Sequence, residues 1–315
     1  MMNHYNSGKL PPLNPRKSNF YDPDPGLIAA LDVALELNMP LLLMGEPGTG
    51  KTRFAQHVAA RFPELTDKVL VFNAKTTSQA SDLFYHYDAL KHFHLVQNLR
   101  VEHIDLVKDE IIRFNALGAA IIAASVENPK RSVVLIDEID KAPRDFPNDL
   151  LNELDGDTFS FNVPELGRDE PFSADPAFKP IIIITSNSEK NLPEPFLRRC
   201  IFYHIPAPDS EGLLKIVLGK LQEHPELNGF AEEGLRRLID RFLEIRDRAG
   251  EISKKRPATA ELISWLIVLH QMGITDRNMG TPQDWQASYS VLVKNTELLD
   301  ELRDENGDYE DLSES

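Results

Sequence analysis

The chain predicts an α/β domain built on a parallel five-stranded sheet, followed by a smaller all-helical domain, and three observations lead there. Five short apolar runs, Leu41 to Met44, Val69 to Phe72, Val133 to Ile136, Ile181 to Ile184 and Ile201 to Ile205, are separated by helical stretches or long connections. Continuous apolar runs of this length suit strands buried on both faces, and their alternation with helices favours parallel crossover connections. Past Pro206 such runs stop and helical periodicity takes over. The first run also leads straight into a glycine-rich octapeptide, Gly45-Glu46-Pro47-Gly48-Thr49-Gly50-Lys51-Thr52, and then into a helical pattern at Phe54, Val58, Ala59 and Phe62.

Taken in order, residues 1–20 are polar and proline-rich and are expected to form a flexible arm. Leu27, Leu31, Val33, Ala34 and Leu37 recur at helical spacing and predict a short helix before the first strand. The α/β domain is expected over 21–206, with long inserts at about 76–131 and 157–179. Connections of that length are usually functional in a compact domain. The first insert predicts two helices, around Asp88 to Leu99 and Val107 to Val126, after the aromatic patch Phe84-Tyr85-His86-Tyr87. The second alternates at Phe159, Phe161 and Val163, which suits a short hairpin. A helical domain follows over 207–296, with helices at about Asp209 to Glu223, Ala231 to Arg248, Thr259 to Met272 and Trp285 to Leu302. From Glu297 the chain carries nine acidic residues against one arginine and is expected to be a solvated tail over 297–315.

Composition narrows the function classes. The 315 residues are 42% hydrophobic, ample for a buried core, and carry a net charge of −16 from 50 acidic and 34 basic residues. That charge opposes a sequence-independent grip on nucleic acid. A single cysteine, Cys200, excludes an internal disulfide and suits a reducing compartment. The first twenty residues lack the apolar core of a leader, and no apolar stretch approaches the roughly 20 residues of a membrane span. A cytoplasmic protein is expected.

The glycine-rich octapeptide carries the chemistry. Between a strand and a helix, Gly45 and Gly50 let backbone N–H groups converge on phosphate oxygens at the positive end of the helix dipole. Glu46, Pro47, Gly48 and Thr49 complete the loop; Lys51 supplies a mobile positive charge for β- and γ-phosphates, and the Thr52 hydroxyl suits a Mg2+ ligand. The third run ends in Asp137-Glu138, which gives one carboxylate to hold Mg2+ and a second to polarise a water for attack. Asn187, after the fourth run, both donates and accepts, so it can orient that water; Asn73, ending the second run, can restrain Glu138. Arg198 and Arg199 precede the fifth run, and either guanidinium can stabilise charge on a transferring phosphoryl, including from a neighbouring subunit. Arg256, at the opening of a lid helix, could touch the same phosphate. The histidines His86, His92, His94 and His103 lack cysteines and a ligand pattern and are expected to be exposed non-ligands. Cys200 is expected to be a buried inert thiol and Trp265 a core residue.

In this order and spacing, the octapeptide, Asp137-Glu138, Thr185-Ser186-Asn187, Arg198-Arg199 and Arg256 resemble an AAA+ ATPase over roughly Leu27 to Val293. The octapeptide, Ile136-Asp137-Glu138-Ile139-Asp140-Lys141-Ala142 and Leu192-Pro193-Glu194-Pro195-Phe196-Leu197-Arg198-Arg199-Cys200 are similar to its MoxR branch. The resemblance implies a P-loop NTPase three-layer sandwich with strand order 5-1-4-3-2 and a helical lid. It implies ATP and Mg2+ as ligands, bound at the interfaces of a ring, commonly a hexamer. It also implies chaperone-like remodelling of a protein client, often with a separate von Willebrand factor A domain partner. The inserts would face the ring's axial surface, with the Phe84 to Tyr87 patch as either a client contact or a packed structural loop. Two other readings stay open: an ATP-gated switch with little turnover, and a DNA-acting motor of a restriction or defence system, against which the acidic charge argues.

Overall fold

A computed structural model describes residues 21–61, 68–99, 108–154, 159–167, 170–187, 192–220, 224, 227, 229–252, 256–275, 278 and 280–304. The expected arm, His103 and residues 305–315 of the expected tail lie outside the described residues. Up to Ile205 the described residues form one compact unit, apart from Glu46–Thr49, which group with the second unit from Pro206 onward.

The first unit opens with α1 (Pro25–Leu37), where the Asp24 side chain accepts from the Gly26 N–H at 2.6 Å and Pro25 occupies the first turn. Strand β1 (Leu41–Met44) and helix α2 (Lys51–Arg61) flank the glycine-rich loop, and β2 (Leu70–Asn73) follows. The first insert contains β3 (Tyr85–Tyr87), α3 (Ala89–Leu99), α4 (Lys108–Ile111) and β4 (Ile112–Phe114), and leads into α5 (Ala116–Ala123). Then come β5 (Val133–Asp137), α6 (Phe146–Leu154), the hairpin strands β6 (Ser160–Phe161) and β7 (Phe172–Ser173), β8 (Ile181–Ser186), α7 (Glu194–Leu197) and β9 (Ile201–His204).

The main sheet has the order β2-β5-β8-β1-β9 with all pairs parallel. Counting the five runs along the chain and starting from β9, this is 5-1-4-3-2, the expected order. Alternate residues of each central strand enter opposite cores. Leu42, Val134, Ile136, Ile182 and Ile184 join α5, α6 and the inserts, whereas Leu41, Leu43, Val133, Leu135, Ile181 and Ile183 join α1 and α2. Both faces are covered, which is why the runs are continuously apolar. The outer strands depart from the expected burial: β2 and β9 have partners on one side, and Val71 and Phe202 are exposed.

The first insert corrects the helical expectation. Val107 to Val126 does not form one helix, because Ile112, Arg113 and Phe114 pair antiparallel with Tyr87, His86 and Tyr85. Branched and aromatic side chains in facing strands outweigh the helical spacing here. The second insert forms the expected hairpin, with Phe159, Phe161 and Val163 buried. The two inserts pack on each other through their rings: Phe161 lies 5.1 Å from Phe84, and Phe114 lies 5.7 Å from Phe172, which itself stacks on Phe161 within the hairpin at 5.2 Å. Tyr85 donates its hydroxyl to Glu165 at 2.9 Å, and desolvation there pushes the phenol up to about 12. Phe84 and Tyr85 are therefore packed. Among the described residues, the large apolar side chains the first insert exposes are Leu90 and Phe93 on α3 and Val126 beyond α5.

The second unit contains α8 (Ser210–Gly219), α9 (Glu232–Ile252), α10 (Thr259–Gln271), α11 (Pro282–Trp285) and α12 (Thr296–Asp304). Its core centres on Trp265, which donates to the Ser288 hydroxyl at 2.7 Å and meets Trp285 edge-on. The expected helix from Trp285 to Leu302 is interrupted. Asn295 Oδ1 accepts from the Glu297 N–H at 2.8 Å, an N-cap that starts α12 afresh. Leu298 and Leu302 are buried in this core, so the stretch expected to open the acidic tail belongs to the helical unit.

Candidate functional site

The glycine-rich loop leaves the end of β1 and enters α2. Gly48 and Gly50 have φ of 81° and 93°, a region that side chains with a Cβ rarely adopt, so these two positions set the turn. A Cβ on Gly50 would also fall 2.7 Å from the ring of Tyr21, which packs over the loop and against Phe54 and His57 of α2. Lys51 is buried to 7% exposure, and its Nζ donates to the Gly45 carbonyl at 2.8 Å, which keeps the ammonium inside the loop. The Thr49 hydroxyl donates to the Glu46 carbonyl at 2.9 Å, within the loop tip.

Asp137 closes β5 beside this loop. The Thr52 hydroxyl lies 3.2 and 3.3 Å from the two Asp137 carboxylate oxygens, across 85 residues of sequence. A hydroxyl and a carboxylate meeting at a helix start beside a phosphate-type loop are oxygen ligands suited to a hard divalent cation. The donor set therefore fits Mg2+, which Thr52 and Asp137 would hold.

Glu138 follows in the left-handed region, with φ 57° and ψ 48°. Such a conformation costs a non-glycine residue free energy and persists only where its surroundings hold it. Thr185 of β8 holds it here: its hydroxyl accepts from the Glu138 N–H at 2.9 Å while donating to Asp137 Oδ1 at 2.5 Å. The turn then folds back, with the Lys141 N–H on the Glu138 carbonyl at 2.9 Å and the Lys141 ammonium 2.6 Å from Glu138 Oε2. Asn73 stands beside Asp137 in the β2–β5 register, and the partner found for the Glu138 carboxylate is Lys141.

Asn187 lies just beyond β8, its backbone N–H donating to Asp140 Oδ1 at 3.1 Å. Lys51, Thr52, Asp137, Glu138 and Asn187 thus gather at the carboxyl ends of β1, β5 and β8, where open α/β sheets bind ligands. Arg198 and Arg199 are exposed on the turn before β9, with Arg198 paired to Glu194 one turn back on α7. Arg256 is exposed and lies along α9, where its guanidinium packs on Gly250. Within the second unit the arginine that meets the loop tip is Arg246, which binds both Glu46 and the Pro257 carbonyl.

Sequence reasoning missed Thr185, Asp140, Lys141 and Arg246 as supports. The signal for Thr185 was a hydroxyl ending an apolar run beside the carboxylate pair. Arg246 had none, being one of five arginines on a long charged helix. The surroundings also shift His57 and Cys200. Desolvation, aided by Arg61 and opposed by Asp22, lowers His57 to about 4, and desolvation alone pushes the buried Cys200 thiol up to about 12. At that value Cys200 remains a thiol at neutral pH, as expected of an inert core residue. No helix among the described residues is long and apolar enough to cross a membrane.

Comparison with known proteins places these features. A family model described as AAA domain (dynein-related subfamily) matches residues 40–200, just over half of the chain. Lon protease of Heliobacterium modesticaldum is 27% identical over 231 residues, which is 68% of this chain and 24% of that protein. Midasin of Dictyostelium discoideum is 39% identical over 57 residues, 18% of this chain and 1% of midasin. The chain thus spans a quarter or less of these relatives. Among solved structures, the FIGL-1 AAA domain in complex with ADP aligns with a TM-score of 0.39 and 20% identity, covering 82% of this chain and 75% of that one. With the loop, the carboxylate pair and the strand order described above, this chain belongs to the AAA family, dynein-related subfamily.

Proposed function

We propose that this chain is a Mg2+-dependent ATP hydrolase of the MoxR-like branch, which assembles into a ring and couples turnover to remodelling of a protein client. The observation that carries the enzymatic part is the meeting of the Thr52 hydroxyl and the Asp137 carboxylate beside the Lys51 loop. Lys51 and the loop amides bind the β- and γ-phosphates, and Thr52 and Asp137 hold the cation. A Mg2+ ion held by Thr52 and Asp137 would supply positive charge against the phosphate oxygens. Glu138 takes a proton from the attacking water, which Asn187 orients through its side-chain amide. The exposure of Arg198 and Arg199 on the turn before β9 supports a role at a neighbouring subunit's site, hence the ring. The client, and an adaptor with a von Willebrand factor A domain on a separate chain, follow from the MoxR-like motifs.

The test is steady-state ATP hydrolysis across a protein concentration series, with particle mass measured on the same samples with and without ATP. Turnover per subunit should rise as a ring forms, and Glu138→Gln should abolish it while ATP still binds. Turnover that is independent of concentration would defeat the composite-site reading. Binding without hydrolysis would favour the ATP-gated switch, and salt-sensitive retention on DNA would favour the motor.

A further inference from the structure

We propose that Asp140 is a positioning residue which joins the two water-handling groups, Glu138 and Asn187, into one unit. The inference rests on the hydrolase reading above.

The paired main chain of β5 and β8 ends at Ile136 and Ile184. Beyond that point side-chain ties take over, among them those of Thr185 and Asp140. Thr185 grips Asp137 and the Glu138 N–H. Asp140 grips the other strand's continuation, accepting from the Asn187 N–H at 3.1 Å. The geometry follows from Glu138 itself: its left-handed backbone reverses the chain, and the 3-10 turn Ile139–Lys141 brings Asp140 back toward β8. The Asp140 side chain is thereby 3% exposed, and among the described residues its Oδ2 has no hydrogen-bond partner. Burying a carboxylate oxygen without a partner is unfavourable, and an apolar side chain of similar shape would be expected there if filling space were the whole task. What the carboxylate provides is an acceptor for Asn187. That bond fixes the backbone from which the Asn187 amide reaches toward water, while the same short turn holds Glu138. Catalytic groups misplaced by about an ångström lose on the order of a hundredfold in rate, so the tie acts on turnover rather than on phosphate binding.

The experiment uses the full chain. Asp140→Leu removes the acceptor while keeping the volume filled, and Asp140→Asn keeps one acceptor oxygen. Each is compared with wild type, Asn187→Ala and the Asp140→Leu/Asn187→Ala double variant. The readouts are kcat and KM for ATP hydrolysis, ATP affinity and melting temperature. Asp140→Leu should lower kcat by roughly ten- to a hundredfold with ATP affinity unchanged, and Asp140→Asn should recover most of that loss. If Asp140 acts through Asn187, the double variant should be no slower than Asn187→Ala alone. Additive losses in the double variant, or a parallel loss of ATP affinity and melting temperature, would overturn the positioning role. So would an Asp140→Leu chain as fast as wild type while Glu138→Gln is dead. A wild-type chain that binds ATP without turning it over would instead overturn the hydrolase reading.

Discussion

The Thr185 hydroxyl stands 2.5 Å from Asp137 Oδ1 and 2.9 Å from the Glu138 backbone nitrogen, so one buried side chain holds both members of the carboxylate pair. Thr185→Val keeps the shape but leaves the Glu138 N–H and the Asp137 oxygen without this partner. A loss of about 1–3 kcal/mol in unfolding free energy is expected, with a drop in kcat, because each orphaned group costs its desolvation. Thr185→Ser should retain both bonds. Denaturant titration and turnover of the two variants check this, and equal behaviour would remove Thr185 from the site.

Arg198 offers a contrast. Its side chain is 75% exposed and its ion pair with Glu194 lies on the surface, so Arg198→Ala should cost no more than about 0.5 kcal/mol of stability. Turnover should nevertheless fall while ATP binding persists, and the same is expected of Arg199→Ala. Mixing either variant with Glu138→Gln protein should restore part of the activity, because intact composite sites then form. If both arginine variants hydrolyse ATP normally, the trans-acting role is wrong.

Acid should destabilise the first unit through His57. Its folded pKa is lowered to about 4 by burial, against an ordinary value near 6.5. Between those values the unfolded chain binds a proton that the folded chain refuses, so unfolding free energy rises with pH across the window and falls on acidification. Melting temperature should therefore decline from pH 7 toward pH 4. His57→Phe should flatten part of that decline, which melting curves at matched ionic strength would show.

Within the first insert, α5 approaches the Phe84 backbone too closely to admit a side chain. A Cβ on Gly118 of α5 would lie 2.0 Å from the Phe84 carbonyl oxygen. Gly118→Ala gains helix propensity but forces α5 away from the Phe84 backbone, and a net loss of roughly 1–3 kcal/mol is expected. A rise in melting temperature would show that this contact yields at little cost.

Lys51→Ala should abolish nucleotide binding, because its ammonium is held within the loop by the Gly45 carbonyl. Unchanged ATP affinity, by fluorescence titration or calorimetry, would sink the assignment of the loop.

What the sequence determined by itself was local in origin. The glycine spacing, the apolar runs and the carboxylates that end one of them each report a short stretch whose chemistry leaves few alternatives. That was enough for the five parallel strands and the helices that follow them, and to single out candidate site residues. The order of the strands came from the resemblance, and the sheet bears it out. Tertiary structure decided the remainder, where distant segments compete with local preference. Ile112 to Phe114 became a strand because Tyr85 to Tyr87 offered an edge, and Asn295 divided a helix that periodicity had run through. Leu298 and Leu302 left an acidic stretch for the core. The supports of the site belong to the same class. Thr185, Asp140 and Lys141 act through bonds that exist only once β5 and β8 lie side by side and Glu138 has turned the chain, and no spacing along the sequence encodes those distances.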